Sequence, residues 1–201
     1  MKTSSLILSA FICVHLRFIG IEVSNAQTFP AKPVRLIVPF APGGGTDTIA
    51  RTLSQKLTEA WGQSVIVENR PGAGGLIGFQ SVLVAPADGY TLGLGTISTL
   101  AIIPLTQAKP RYDPLKDFAA VTMISTVPYM LVAHPSLPTR NLAEFVKLAR
   151  GKPGQISYGT PGYATGIHLT AEYISAATGI KMIHVPYKGD APALEIGRAH
   201  V

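Results

Sequence analysis

Cysteine is almost missing from this chain. Its 201 residues include one, Cys13, which excludes a disulfide framework and a cysteine-based zinc site. Charge is scarce too. Asp, Glu, Lys and Arg make up 14% of the residues and apolar types 47%, a balance that excludes an intrinsically disordered chain. No apolar run approaches the ~18 residues of a membrane span. The 20 glycines and 16 prolines follow no three-residue period, which excludes collagen. Enzyme signatures are also lacking. Gly43-Gly44-Gly45-Thr46-Asp47 has no lysine where a phosphate-binding P-loop needs one. Gly72-Ala73-Gly74-Gly75-Leu76-Ile77 breaks the G-x-G-x-x-G dinucleotide pattern at its last position. There is no G-x-S-x-G and no H-E-x-x-H. His134, His168 and His184 are too scattered to indicate a metal site. The net charge of +6 is spread out without interleaved aromatics, which argues against a nucleic-acid partner.

The two ends stand apart from the rest. Residues 1–26 read as a secretory signal. Lys2 gives the positive start, Leu6 to Val14 the apolar run, and Ser24-Asn25-Ala26 the small residues of a cleavage site before Gln27. His15 and Arg17 interrupt the pattern. Cys13 leaves with this segment, so the exported chain carries no cysteine. At the other end, one back-translation of residues 195–201 is GAG ATC GGA AGA GCA CAC GTC. From its second base this matches a common sequencing-adapter read. The segment is therefore expected to be foreign to the gene, and Arg198 and His200 carry no functional weight.

What remains alternates strand, glycine turn and helix. Val34 to Val38 is β-rich and runs into Pro39-Phe40-Ala41-Pro42-Gly43-Gly44-Gly45, a turn. Thr46-Asp47 reads as a helix cap and first-turn acid. Ile49, Leu53, Leu57 and Trp61 then form one apolar helical stripe. Ser64 to Glu68 is a second strand, Asn69 to Gly75 its turn, and a short helix follows from Leu76. Tyr90 to Leu94 is a third strand, followed by Gly95-Thr96 and another helix start. Such units predict a parallel sheet covered by helices. Ala119 to Ala133 is expected to hold one or two further strands, the later one Tyr129 to Ala133. Asn141 caps a helix that ends at Lys152-Pro153-Gly154. Ile156 to Tyr158, Gly159 to Gly166, Ile167 to Ala177 and Lys181 to Val185 repeat the strand–turn–helix–strand order. The expected layout is a first α/β lobe over residues 27–124 and a second over 125–194, with a crossover near residues 124–130.

In an open parallel sheet, ligands sit beyond the C-terminal strand ends. The turns Ala41 to Thr46, Asn69 to Gly75 and Gly159 to Thr165 all belong there. Glycine admits close backbone approach, and a helix N-terminus carries about half a positive charge. Such turns suit a carboxylate or phosphate oxygen without any Lys or Arg. Each is also what an ordinary βα turn uses simply to reverse direction. His168, near a helix start, fits a capping or packing role better than a catalytic one. Asp47 fits a first-turn acid better than a general base.

Three segments carry a resemblance. They are Pro33-Val34-Arg35-Leu36-Ile37-Val38-Pro39-Phe40-Ala41-Pro42-Gly43-Gly44-Gly45-Thr46-Asp47, Val67-Glu68-Asn69-Arg70-Pro71-Gly72-Ala73-Gly74-Gly75, and Pro186-Tyr187-Lys188-Gly189. Together they resemble the substrate-binding receptors of tripartite tricarboxylate transporters, the Bug receptor family, from about Phe29 to Leu194. The resemblance implies an α/β fold of two lobes, a type II-like periplasmic-binding-protein architecture with parallel-rich sheets. It implies closure around a small di- or tricarboxylate or related carboxylate, gripped by two βα turns. Carried onto this chain, the first turn is Pro42, Gly43, Gly44, Thr46 and Asp47. The second is Gly159, Thr160, Gly162, Ala164 and Thr165, with His168 just beyond. Tyr163-Ala164-Thr165-Gly166 departs from the family's usual Gly-Asn-Gly-Ser run, and Asp190 stands at a usual glycine. Both departures bear on the ligand more than on the fold. Asp47 is a candidate to recognise an amino group on a ligand such as aspartate. The resemblance further implies a periplasmic monomer without cofactor, metal or catalytic residues, partnered by the membrane subunits of a transporter. Family chains are longer, so the second lobe is expected to be incomplete. The alternative is an enzyme acting on a carboxylate, with Asp47 and His168 as acid–base groups.

Overall fold

The computed structural model describes residues 28–199, with side chains through residue 195. The secretory signal read at residues 1–26 lies outside the described residues, as do His200 and Val201. All the elements below belong to one compact unit, Lys32–Val201.

The first sheet has three parallel strands in the order β2-β1-β3. These are β1 (Val34–Val38), β2 (Val65–Asn69) and β3 (Thr91–Gly93). In β1 only Arg35 is exposed, the near-continuous apolar run of a strand covered on both faces. Val34, Leu36 and Val38 cluster with Ala50, Val65 and Leu94. Helix α1 (Gly45–Trp61) seals that side with Leu53, Leu57 and Trp61, three of the four residues in the expected stripe. It ends at Gly62, whose N–H bonds back to the Thr58 carbonyl. The cap differs from expectation. It is Gly44 rather than Thr46, and the helix begins at Gly45 with Asp47 as the expected first-turn acid. No side chain at residue 44 can bond the first amides, so Asp47 reaches back from the third helical position and accepts the Gly43 N–H at 2.9 Å. This is one residue beyond the usual reciprocal capping box.

Strand alternation turns Ile37 away from the α1 cluster. It is 1% exposed, so Ile37→Ala is expected to cost about 3 kcal/mol, read as a lower urea midpoint. Helix α2 (Leu76–Leu83) follows the short 3-10 turn Ala73–Gly75. Its Leu76 and Phe79 pack with Ile103 and Tyr112. The rings of Phe79, Tyr112 and Phe118 meet in tilted and edge-on contacts at centroid distances of 4.5 to 5.5 Å. A π-helical turn, Ser98–Ile102, leads into α3 (Ile103–Thr106).

The strands expected within Ala119 to Ala133 are not formed. The stretch has no regular secondary structure and is exposed, with Val121, Met123 and Met130 each more than 80% accessible. A strand exists only when a neighbour takes up its amides and carbonyls, and no described strand pairs with this one.

The second lobe holds α4 (Leu142–Gly151), β4 (Ser157–Thr160), α5 (Gly166–Thr178), β5 (Ile183–Pro186) and α6 (Asp190–Ala199). Strands β4 and β5 pair in parallel. Asn141 caps α4 by accepting the Glu144 N–H at 2.9 Å, as expected from its sequence. The Arg150 guanidinium, near the end of α4, donates twice to the Thr178 carbonyl at the end of α5. That ties two helix C-termini together, where cations are favoured. Helix α6 continues through residue 199, into the segment read from the sequence as foreign.

Candidate functional site

The turns at the C-terminal strand ends of the two sheets meet one another. They do so largely through main chain. After β1, the Ala41 N–H donates to the Lys188 carbonyl at 2.9 Å, and the Gly189 backbone packs on Ala41. After β2, Gly74 lies against the Tyr163 carbonyl and the Gly162 backbone. After β3, the Ser98 hydroxyl accepts the Gly166 N–H at 3.3 Å. Every first-lobe strand therefore ends in a turn that touches the second lobe.

Asp47 is the most heavily bonded group in this region. It is 3% exposed. Its Oδ2 accepts from Gly43 N–H and Arg51 Nε, each at 2.9 Å, and its Oδ1 accepts from Asn69 Nδ2 at 2.9 Å. Burial pushes its pKa up, but the Arg51, Gly43 and Asn69 bonds outweigh this and leave it below the usual carboxylate range. An ionised, fully bonded carboxylate is a poor general base. Its oxygens are taken up in shaping the first turn. Asn69 also donates to the Phe40 carbonyl at 3.1 Å, so the turns after β1 and β2 are braced as one piece.

The second turn is braced by its own threonines. Thr165 caps α5, accepting the His168 N–H at 3.2 Å and donating to the Gly162 carbonyl at 2.8 Å. The Thr160 hydroxyl sits between the Gly162 backbone and His184 Nε2, 2.7 Å away. Ala164 takes a left-handed conformation, φ 56°, and packs on the Phe79–Tyr112 cluster. His168 is buried in the first turn of α5, where the cap is Thr165 and the His168 ring packs rather than caps. Its ring stacks on His184 at 4.0 Å and meets Tyr163 at 4.7 Å. Among the described residues, its Nδ1 is a buried atom without a hydrogen-bond partner. His184 is held below the usual histidine range by burial and by the neighbouring His168, against the opposing pull of Glu172.

The expected site residues thus fall into three groups. Gly44, Gly162 and Ala164 lie where the lobes meet. Asp47, Thr160, Thr165 and His168 hold the turns in shape. Pro42, Gly43 and Gly159 are exposed at the rim and Thr46 is half-buried beside them. Four residues in this region escaped the sequence-based reading of the site. Ser98 follows the third βα turn, whose Gly95-Thr96 signal was visible but never counted with the other turns. Ile97 and Tyr129 cover the start of α5: a Cβ on Gly166 would stand 2.1 Å from the Tyr129 hydroxyl and 2.8 Å from Ile97 Cγ2. His184 carries no local motif. The described residues hold no group of three or more His, Cys, Asp or Glu able to bind a metal.

Comparison with known proteins identifies the family and the fold. Residues 49–200 match the model of the tripartite tricarboxylate transporter family receptor. The chain is 38% identical over 190 residues to Protein BugT of Bordetella pertussis, covering 93% of this chain and 58% of that protein. It is 41% identical over 173 residues to a UPF0065 protein of the same organism, covering 85% of this chain and 53% of the relative. The chain thus spans little more than half the length of these relatives. Among solved structures, Rpa4515 of R. palustris with adipate superposes with a TM-score of 0.82 at 38% identity, covering 86% of this chain and 57% of that one. MatC from Rhodopseudomonas palustris with bound malate gives 0.76 at 31% identity, covering 83% and 57%. The architecture is that of periplasmic binding proteins, and the partial coverage accords with an incomplete second lobe. The chain belongs to the tripartite tricarboxylate transporter receptor family.

Proposed function

We propose that this chain is a periplasmic receptor that captures a small organic carboxylate, of the di- or tricarboxylate class or related to it. It hands the solute unchanged to the membrane subunits of a tripartite tricarboxylate transporter. One observation carries the reading: a first-lobe hydroxyl, Ser98, and the start of a second-lobe helix, Gly166, meet at the strand ends. A helix start offers partial positive charge to a carboxylate, here with the Gly166 and His168 amides already bonded to Ser98 and Thr165. A solute held there contacts both lobes at once, so its binding favours closure. The adipate- and malate-bound neighbours support the ligand class. In this reading the protein acts as a monomer without cofactor or metal. The enzyme alternative draws no support from Asp47, whose oxygens are already bonded.

The test is a thermal-shift and calorimetric panel of carboxylates, with the recovered solute analysed. A ligand at 100 times its Kd stabilises the folded state by about 2.7 kcal/mol. Stabilisation by carboxylates, with the solute recovered intact, is the expected result. Turnover by pure protein, lost in Asp47→Ala, would refute the receptor reading.

A further inference from the structure

Behind the second turn, two imidazole rings lie face to face. His168 from α5 and His184 from β5 have centroids 4.0 Å apart and planes inclined by 25°. Tyr158 of β4 also stacks on His184, at 5.0 Å, and Tyr163 of the turn tilts onto His168 at 4.7 Å. Glu172, one turn further along α5, accepts the Tyr158 hydroxyl. The same carboxylate oxygen stands 3.8 Å from His168 Nε2, beyond hydrogen-bond reach. The titratable groups around His184 are therefore Tyr158, Tyr163, His168 and Glu172. Burial and His168 hold the His184 pKa below the usual histidine range, and Glu172 opposes them. Burial and Glu172 push the Tyr158 pKa up, so that phenol stays a neutral donor.

This stack is wired to the turn through one hydroxyl. Thr160 is 1% exposed and has a single hydroxyl proton. Two acceptors lie within its reach, the Gly162 carbonyl at 3.1 Å and His184 Nε2 at 2.7 Å. When Nε2 carries no proton, the hydroxyl can donate to the ring. When His184 is charged, both ring nitrogens are donors, and Thr160 must turn its proton to Gly162. The Gly162 carbonyl already accepts the Thr165 hydroxyl at 2.8 Å. The Gly162 backbone packs on Gly74 of the first lobe. A proton on His184 is thus felt, one hydroxyl away, at a contact between the lobes.

We propose that His184 is a positioning residue for the second turn, and that its stack with His168 is an acid-sensitive latch: neutral rings hold Gly162 against the first lobe, and a proton on the stack loosens it. A histidine that is harder to protonate in the closed turn than in the open one favours opening as pH falls. From a free histidine value of ~6.5, the opening constant can rise by at most ~30-fold between pH 7.5 and 5. In the receptor proposed above, a mildly acid medium then weakens closure.

The experiment compares the full chain, His184→Gln and His168→Phe by amide hydrogen exchange over residues 160–166. Rates are taken at pH 7.5 and 5 and divided by their intrinsic values, and circular dichroism reports folding. Glutamine keeps a neutral polar group beside Thr160 at both pH values. Phenylalanine keeps the stacked ring without its charge. Wild type is expected to gain at least about threefold in normalised rate on acidification, and His184→Gln less than half of that gain. His168→Phe is expected to fall between them, because one of the two influences that keep His184 neutral is gone. A wild-type gain below threefold, or a folded His184→Gln that keeps half of the gain or more, overturns the inference. If His184→Gln unfolds, His168→Phe decides, and a gain equal to wild type overturns the inference. No solute enters the test, so its failure leaves the receptor reading standing.

Discussion

Gly74→Ala is expected to hold the two lobes apart. Gly74 has φ 66°, and a Cβ there would stand 2.4 Å from the Tyr163 carbonyl oxygen. That oxygen is main chain and cannot swing aside as a flexible side chain would. Two costs combine. The left-handed conformation costs an alanine ~1–2 kcal/mol, and the overlap with Tyr163 forces a displacement between the lobes. Gly62 separates them. It has nearly the same φ, 65°, but nothing lies within 4 Å of its Cβ position. Gly62→Ala therefore carries the conformational cost alone. The expected result is that Gly74→Ala loses more stability to urea than Gly62→Ala. Only Gly74→Ala should lose carboxylate affinity, by at least ~30-fold, or about 2 kcal/mol. It should also expand the molecule in small-angle X-ray scattering. Equal affinities for the two variants would show that the Gly74–Tyr163 contact contributes nothing to closure.

Asp47→Ala is expected to be the most damaging single change among the polar residues of the turns. It leaves the Gly43 N–H without its partner and removes one of the two bonds by which Asn69 braces the turns after β1 and β2. The ion pair itself contributes little, because Arg51 is 56% exposed and such pairs are screened by solvent. The loss of hydrogen bonds to a buried carboxylate dominates, at about 2–3 kcal/mol. The pH dependence has a definite sign. The folded-state pKa of Asp47 is lowered, relative to an unfolded value of ~3.9. Its contribution is fully present above the unfolded value and is lost as pH falls through the folded one. Urea melts of wild type between pH 7 and 2.5 should lose stability at the acid end. Asp47→Asn should start lower and show a flatter acid limb. A variant within 0.5 kcal/mol of wild type at pH 7 would refute the bracing role.

The first lobe was the more legible in sequence. Its central strand β1 is buried on both faces and reads as an apolar run, and helix α1 carries a period-matched stripe. The three glycine turns fell where a parallel sheet places its ligands. The helix cap was misplaced because Gly44 has no side chain to advertise it, and the acid that serves the turn comes from within the helix. The stretch around Tyr129 to Ala133 has strand composition but no strand beside it. Composition reports what a segment can do, whereas pairing depends on a neighbour. The site was half visible for a related reason. Glycine and threonine turns have local signatures. Ser98, Tyr129 and His184 reach the junction from elements distant in sequence, and only the packing of two sheets brings them near α5.

The docking of the lobes through main chain has an evolutionary consequence. The atoms that join them are the Ala41 amide, the Lys188 and Tyr163 carbonyls and the Gly166 amide, and most side-chain replacements leave those atoms in place. In the receptor we propose, drift at positions such as Tyr163 or Ala164 can therefore retune which solute is preferred while the clamp keeps working. A scaffold of this kind can diversify into many specificities by single substitutions, without passing through a form that fails to close.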